Sequence, residues 1–220
     1  MRNFFVLMFL LLASDAFSAI ERRFMDQKLP TQQMIEKQSI DNPVAAGTTN
    51  VLSGHAGNTS AAAASATTFV AQPDVPRNLV ITPGGTTADV ASCIITVTGK
   101  NFFNSTITET FTFADNASTA TTGAKAFKSI TSISFPASCE DGGFAATWSV
   151  GFGEKLGLKN CLDLAGHTVF STVAGAYETT RATIAADNDE VEKNTADFNG
   201  TMNGSNDFEL FFVQNFRCKP

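Results

Sequence analysis

Charged side chains are scarce in this sequence, and the shortage excludes several kinds of partner. Only 16% of the 220 residues are charged, and 15 Lys and Arg residues face 21 Asp and Glu residues, which gives a net charge of −6. An acidic chain with few cations lacks the positive surface that holds a phosphate backbone. We therefore expect neither nucleic-acid binding nor docking to an anionic membrane surface.

Histidine is also scarce, and this limits catalysis. Of the 2 His residues, His55 lies in a low-complexity stretch that cannot hold a catalytic geometry unless a partner orders it. His167 follows Cys161 and Asp163, and a Cys/His pair is the minimum for a thiol nucleophile. Its local sequence, however, is typical of a turn that enters a strand. Because no set of acid, base and nucleophile can be assembled, we predict a protein that is not an enzyme and has no cofactor.

Two short motifs resemble ligand sites and fail on spacing. Asp187, Asp189 and Glu190 place oxygen ligands close together, as calcium sites do, but lack the glycine and the distant glutamate of a calcium-binding loop. We expect a solvated turn there, and a weak calcium site is the alternative. The GFGEK sequence at residues 151–155 departs from the phosphate-loop spacing and predicts a strand-ending turn inside a loop that runs to residue 158.

Cysteine usage leaves the redox state open. Cys93, Cys139, Cys161 and Cys218 are far apart, and none belongs to a CxxC pair. Four cysteines allow three disulfide connectivities, among which the sequence cannot choose. A domain of this size does not need disulfides, so four separate thiols are the simplest interpretation. One or two disulfides, or a zinc site, are the alternatives.

The first 70 residues lack the pattern of a folded core. Residues 1–19 resemble a secretory signal, with Arg2, an apolar run and a cleavage position after Ser18, although an uncleaved segment or a misassigned start would give the same pattern. Within residues 20–70, Thr31 predicts a short helix that ends at Ser39. Residues 44–68 are mostly Ala, Gly, Ser, Thr and Asn, which bury too little apolar area to form a core element. We predict a linker or an extended arm.

Short strand patterns separated by Gly and Asn turns fill the rest of the chain. The clearest is residues 106–114, where Ile107, Glu109, Phe111 and Phe113 alternate with threonines. Strands are also predicted at 78–82, 92–98, 126–135, 144–150, 168–173, 177–185, 190–198 and 208–216. With 20 Phe residues, the composition also favours strands. We predict an all-β domain over residues 71–217, an antiparallel sandwich of Ig-like or jelly-roll-like type, with an extended N-terminal arm.

An ordered series of short motifs resembles a family of tailed-phage virion proteins described as structural or head-associated. The motifs lie at 72–79 (QPDVPRNL), 96–99 (TVTG), 107–111 (ITETF), 123–127 (GAKAF), 130–133 (ITSI), 150–158 (VGFGEKLGL), 178–183 (ETTRAT) and 191–195 (VEKNT). The resemblance covers about residues 71–213. The apolar start, the long arm and the four cysteines depart from the family's pattern.

The resemblance implies a β-sandwich on the outside of a phage capsid, most directly a capsid decoration protein. Its implied partners are copies of itself, with a homotrimer favoured, and the major capsid protein. The family supplies no catalytic residues. A tail-tube or fibre-associated role is the alternative within the virion, and a secreted or cell-surface Ig-like binding module is the alternative outside it.

Overall fold

The computed structural model describes residues 34–56, 64–141, 145–162, 164–166 and 168–214. The chain from Ile35 onward forms one compact unit, and the other unit, Met1–Met34, lies almost wholly outside the described residues. Residues 1–19, which resemble a secretory signal, lie outside the described residues, and so do Asp163, His167 and Cys218. Among the residues described, no helix has the length and hydrophobicity needed to cross a membrane.

The described chain is built from short strands, with single turns of 3-10 helix at Thr87–Asp89, Ala137–Cys139 and Val191–Lys193. Within the described ranges the strands are β1 (Met34–Ile40), β2 (Leu52–Ala56), β3 (Ala64–Ala66), β4 (Arg77–Gly85), β5 (Cys93–Lys100), β6 (Thr106–Phe113), β7 (Thr121–Thr122), β8 (Ser129–Phe135), β9 (Ala146–Gly157), β10 (Thr168–Val173), β11 (Ala176–Tyr177), β12 (Thr183–Ala185), β13 (Thr195–Asp197) and β14 (Phe208–Gln214).

These strands form three sheets, here called A, B and C. Sheet A has the order β1-β14-β10-β11, and sheet C has the order β3-β8-β5-β6. Sheet B has the order β12-β13-β9-β4-β7, with β2 also paired to β9. The strand pairs whose residue-by-residue pairing the structure defines are antiparallel. The predicted all-β, antiparallel, sandwich-like fold is confirmed.

Two hydrophobic cores lie between the sheets, and strand β9 contributes to both. The first core joins sheet C to sheet B and includes Phe111, Trp148 and Phe152. The second joins sheet A to the other end of sheet B and includes Leu156 and Leu210. Each large apolar side chain that is fully buried contributes roughly 1.5–3 kcal/mol. Because β9 has residues in both cores, it links two separately packed halves of the molecule.

A buried arginine marks the point where β9 passes from one core to the other. The register of β4 against β9 shifts there, because Arg77 pairs with Leu156 but Leu79 pairs with Phe152. Arg77 is 0% exposed, and its Nε and Nη2 donate to the carbonyl of Gly153 at 3.0 and 2.6 Å. The guanidinium thus satisfies a carbonyl that the bulge turns out of the ladder.

Other groups complete the environment of Arg77. Its Nη1 donates to the Val44 carbonyl at 2.9 Å and lies 3.3 Å from Asp74 Oδ1. The guanidinium carbon lies 5.2 Å from the centre of the Phe152 ring, and Nη2 lies 3.2 Å from the sulfur of Met202. Phe152 belongs to the first core and Met202 to the second. Arg77 therefore contacts both halves of the molecule.

The loop predicted at residues 151–158 is wrong, because the chain continues there as a bulged strand. Residues 151–157 continue strand β9, so the predicted strand-ending turn at 151–155 is wrong. The strand needs glycine here because neighbouring groups leave no room for a side chain: a Cβ on Gly153 would stand 2.2 Å from Asn78 Oδ1. The glycine-rich sequence reflects close packing inside a strand and not a turn.

The predicted helix ending at Ser39 is wrong where the structure describes it, because β1 is a strand. Gln38 and Ile40 are buried and alternate with exposed Lys37 and Ser39. Ile40 enters the second core, and Gln38 donates to the Gly157 carbonyl at 3.0 Å. Packing against the sheets has overridden the local capping signal, which only weakly favours helix.

The interpretation of residues 44–68 as a linker or arm outside the core is wrong in part. Val51 is 0% exposed, and its N–H donates to the Val150 carbonyl at 2.9 Å. The N–H of Gly47 donates to the Phe152 carbonyl at 3.0 Å, and a Cβ on Gly151 would stand 1.8 Å from the Gly47 carbonyl oxygen. Small residues bury little area themselves, but they let this segment lie directly against β9.

Two further boundaries and the cysteines differ from expectation. The strand predicted at 177–185 is two short strands, β11 and β12, and the one predicted at 190–198 is a 3-10 turn followed by β13. Cys93 and Cys139 form a disulfide with a Cα–Cα distance of 5.0 Å, and Cys161 is also disulfide-bonded. Four separate thiols, the simplest interpretation, is therefore wrong.

Candidate interaction surfaces

The acidic cluster near residue 190 is a capped turn whose carboxylates contact lysines. Asp187 Oδ1 accepts backbone N–H groups from Asp189 at 2.9 Å and Glu190 at 2.8 Å. Lys193 lies 3.6 Å from Asp187 Oδ2 and also pairs with Glu190, while Lys125 lies 3.1 Å from Glu190. The Glu190 N–H bond lowers the pKa of Asp187, and the Lys193 hydrogen bond lowers that of Glu190. Among the described residues, no group of three or more metal-binding side chains is placed to hold an ion.

Of the two histidines, His55 lies within the described residues. His55 lies on β2, opposite Trp148 of β9, and its ring stacks on Phe135 at a centroid distance of 4.8 Å. Burial lowers the pKa of His55. Contacts within the chain therefore hold His55 in place, whereas the sequence predicted that a partner would be needed to order it. His167 lies outside the described residues.

The outer side of sheet C carries mostly hydroxyl groups, together with the 53% exposed Ile94 opposite Thr112, and is here called the hydroxyl face. Its members lie on four adjacent strands and are Ser65, Thr96, Thr98, Thr106, Thr108, Thr110, Thr112, Ser132 and Ser134. They align in rows across the sheet, because Ser134 pairs with Ser65 and Thr96, and Thr96 pairs with Thr110. Lys100, which donates to Thr106 Oγ1 at 2.7 Å, brings a charge to one end of the face.

Strand β6 ends this sheet. It pairs with β5 over eight consecutive residues without a register shift. Edge strands are commonly shielded from further pairing by lysine, proline, a bulge or an inward-pointing charge; the TITETFTF sequence of β6 contains neither lysine nor proline, and Glu109 is its inward-pointing charge. The alternation predicted for this strand is confirmed, since Phe111 and Phe113 are buried and the four threonines are exposed.

Glu109, the acidic residue of β6, is turned beneath the sheet. Its Oε1 accepts the backbone N–H groups of Ala124 at 2.6 Å and Lys125 at 3.1 Å. Its Oε2 is buried without a hydrogen-bond partner, and a Cβ on Gly123 would stand 2.5 Å from it. Burial raises the pKa of Glu109. Because this carboxyl group faces inward, the exposed side of β6 carries no charged side chain.

The outer side of sheet A has a different chemistry and carries a row of rings, here called the aromatic stripe: Phe170, Tyr177 and Phe211. Phe170 and Phe211 are cross-strand partners and stack at 4.1 Å with an interplanar angle of 22°. Tyr177 meets Phe170 edge-on at 5.3 Å and is 74% exposed. On the other side, Lys37 Nζ lies 5.7 Å from the centre of the Phe211 ring.

Polar groups run beside these rings. Lys37 forms an ion pair with Glu209. Thr172 donates its hydroxyl to Glu209 Oε2 at 3.2 Å and is the register partner of both Glu209 and Tyr177. The side-chain hydrogen bond from Lys37 lowers the pKa of Glu209. The outer side of sheet A thus combines three contacting rings, of which Tyr177 is the most exposed, with a charge-balanced polar row.

Comparison with protein families, curated proteins and solved structures found no match for this chain. The sequence predicted both strands that carry Phe170 and Phe211 but did not predict that they pair. The aromatic stripe depends on that long-range pairing, so the sequence alone does not predict it. The hydroxyl face was visible in part, through the alternating threonines of β6.

Proposed function

We propose that this chain is a phage virion structural protein, a capsid decoration protein that binds the outside of the head shell. Two observations support the proposal. The ordered motif series resembles head-associated phage proteins, and the hydroxyl face offers an extended, nearly uncharged contact surface on a regular sheet. The hydroxyl face is the structural observation that carries the proposal.

The chemistry of the hydroxyl face suits many copies placed side by side. The chain has a net charge of −6, so contacts between copies through charged surfaces would be repulsive. Threonine and serine hydroxyls both donate and accept hydrogen bonds, so they can pair with another copy or with the shell without opposite charges. They also keep the free protein soluble, which an apolar face of this size would not.

Strand β6 supports the same role. An edge strand with open backbone groups can pair with a strand from another chain, and such pairing gives affinity through main-chain hydrogen bonds. The partners proposed are other copies of this chain, with a homotrimer as the preferred assembly, and the major capsid protein. The protein acts in this role by contact and not by catalysis.

Quantitative mass spectrometry of purified virions tests the proposal. Peptides of this chain should be present at a copy number close to that of the major capsid protein. A copy number near that of tail proteins would instead favour the tail-tube or fibre-associated role. Complete absence from washed virions would contradict the proposal.

A single-residue variant links the role to the hydroxyl face. Thr110→Lys places a charge in the centre of the face, where Thr110 is exposed and pairs with Thr96. We expect this variant to stay folded and to lose binding to undecorated heads. Thr179→Lys is the matched control, because Thr179 is an exposed threonine outside sheet C, and it should bind normally.

The disulfides favour a second candidate, a secreted or cell-surface binding module. The Cys93–Cys139 bond and the bonded Cys161 are typical of proteins that mature in an oxidising compartment. On this alternative, the protein accumulates in the culture medium, cleaved after Ser18, and is missing from virions. The same mass-spectrometry experiment therefore separates the two candidates.

A further inference from the structure

We propose that the outer side of sheet A is a binding site for a neutral oligosaccharide. The site consists of the aromatic stripe and its polar row, Lys37, Thr172 and Glu209. This site is separate from the hydroxyl face, and the proposal does not depend on a virion location.

The ring arrangement gives the first reason. A sugar ring has an apolar C–H surface and a rim of hydroxyls, so it packs on an aromatic surface that has hydrogen-bonding groups beside it. Tyr177 is 74% exposed and continues the stacked pair of Phe170 and Phe211. An aromatic side chain this exposed is typical of a binding surface, because tyrosine offers an apolar body and a polar tip.

The size of the surface gives the second reason. The residues from Lys37 to Tyr177 span all four strands of sheet A, in the order β1-β14-β10-β11. Neighbouring strands lie about 4.8 Å apart, so the row extends over about 14 Å. That length fits an oligosaccharide chain and exceeds a single sugar.

The charge balance decides between occupants. Lys37 and Glu209 neutralise each other, and the whole chain is acidic, so the site does not favour an anionic glycan or an anionic lipid. The centres of protein–protein interfaces are depleted of charged residues, yet this ion pair and Thr172 lie directly beside the rings. The hydroxyls of a neutral sugar can pair with Lys37 and Glu209, whose side chains are 47% and 30% exposed, while its C–H face packs on the exposed ring of Tyr177.

Titration of the full chain with maltohexaose, cellohexaose, mannohexaose and chitohexaose tests the site. Tyr177 is the single tyrosine of the chain, so its ring signals in a nuclear magnetic resonance spectrum need no further assignment. We expect saturable binding of at least one of these sugars, with shifts of the Tyr177 ring signals. If none of the four binds, the proposal is overturned.

Variants place the binding on the stripe. Tyr177→Ala should weaken the affinity about tenfold, which corresponds to roughly 1.4 kcal/mol, whereas Tyr177→Phe should keep most of it. Phe103→Ala is the matched control, because Phe103 is also an exposed aromatic residue, at 60%, and its loss should leave binding unchanged. Fluorescence of Trp148, which is 0% exposed, confirms that each variant is folded.

Two results would contradict the proposal even if the variants fold. Sugar binding that Tyr177→Ala leaves unchanged would place the sugar elsewhere. The second result has two parts: the wild-type chain binds no sugar, and it self-associates in sedimentation velocity in a way that Tyr177→Ala abolishes. The aromatic stripe would then be an interface between copies.

Discussion

The hydroxyl face of sheet C and the aromatic stripe of sheet A are both outer sides of four-stranded antiparallel sheets, yet they share little chemistry. Apart from Ile94 and Lys100, the hydroxyl face repeats one kind of small polar group in rows, and β6 ends the sheet on one side. The aromatic stripe concentrates three rings beside one ion pair. Repetition suits contact with a repeating partner, whereas a compact mixed surface suits a single ligand.

The separate cores explain how the two faces can differ. Phe111 and Ile133 anchor sheet C in the first core, and Leu210 and Phe212 anchor sheet A in the second. Among the residues that the structure describes, strand β9 has members in both cores, and Arg77 at its bulge contacts both. A change in one core should therefore affect one face, whereas a change at the bulge should affect both.

Arg77→Met should destabilise the protein most, because it removes a buried side chain that contacts both halves. The Gly153 and Val44 carbonyls lose their buried donor, and Asp74 loses its ion-pair partner while keeping the Val44 N–H. We expect the free energy of unfolding to fall by about 3–5 kcal/mol, measured by urea denaturation.

Two intrinsic probes make this test specific. Trp148 lies in the first core, and Tyr177 lies on the aromatic stripe, so both fluorescence transitions should move together in Arg77→Met. Arg181→Met, at an exposed arginine, is the control and should change stability little. A loss below about 1 kcal/mol for Arg77→Met would show that the bulge does not need its guanidinium.

The next effect is confined to the half behind the hydroxyl face. Cys93 and Cys139 both belong to the first core and enclose a sequence separation of 46 residues. The Cys93→Ala/Cys139→Ala double variant should lose about 2–4 kcal/mol of stability, because the unfolded chain gains freedom. Thermal unfolding followed by Trp148 fluorescence measures this loss.

The same double variant also tests whether the aromatic stripe depends on the first core. At a temperature where it remains folded, its affinity for the sugars proposed above should equal that of the wild type. Ile94→Ala, at a 53% exposed neighbour of Cys93, should cost far less stability than the double variant. Weaker sugar binding in the folded double variant would show that the two halves are not independent.

The smallest effect concerns the carboxyl group under β6. Because burial raises the pKa of Glu109 above its ordinary value of 4.5, the native state holds this proton more tightly than the unfolded state. The stabilisation from protonated Glu109 is therefore complete below pH 4.5 and is lost as the pH rises through the raised pKa.

Glu109→Gln removes this dependence while its side-chain oxygen can still accept the Ala124 and Lys125 N–H groups. We expect a gain of about 1 kcal/mol or less at pH 7 and a flatter profile of stability against pH. Urea denaturation at a series of pH values measures both. An unchanged pH profile would mean that Glu109 is not the group that titrates.

The sequence predicted the fold class because its signals are local. Alternation over residues 106–114 placed Phe111 and Phe113 inside and the threonines outside, as the structure has them. The strands at 168–173 and 208–216 were also recognised from their composition. Local alternation reports which face of a strand is buried, but it does not report which strand lies beside it.

The failures came from contacts between distant residues. Gly151 and Gly153 have the appearance of a turn, and only the approach of Gly47 and Asn78 shows why they lack side chains. The Cys93–Cys139 bond and the Phe170–Phe211 pair likewise join residues whose proximity depends on topology. The candidate surfaces could therefore be predicted strand by strand, but not as assembled faces.

Binding to undecorated phage heads by Thr110→Lys and Tyr177→Ala, compared side by side with the wild type, tests the division of roles most directly. We expect that Thr110→Lys loses head binding while Tyr177→Ala binds as the wild type does. Head binding retained by Thr110→Lys and lost by Tyr177→Ala would contradict it, because the aromatic stripe and not the hydroxyl face would then contact the shell.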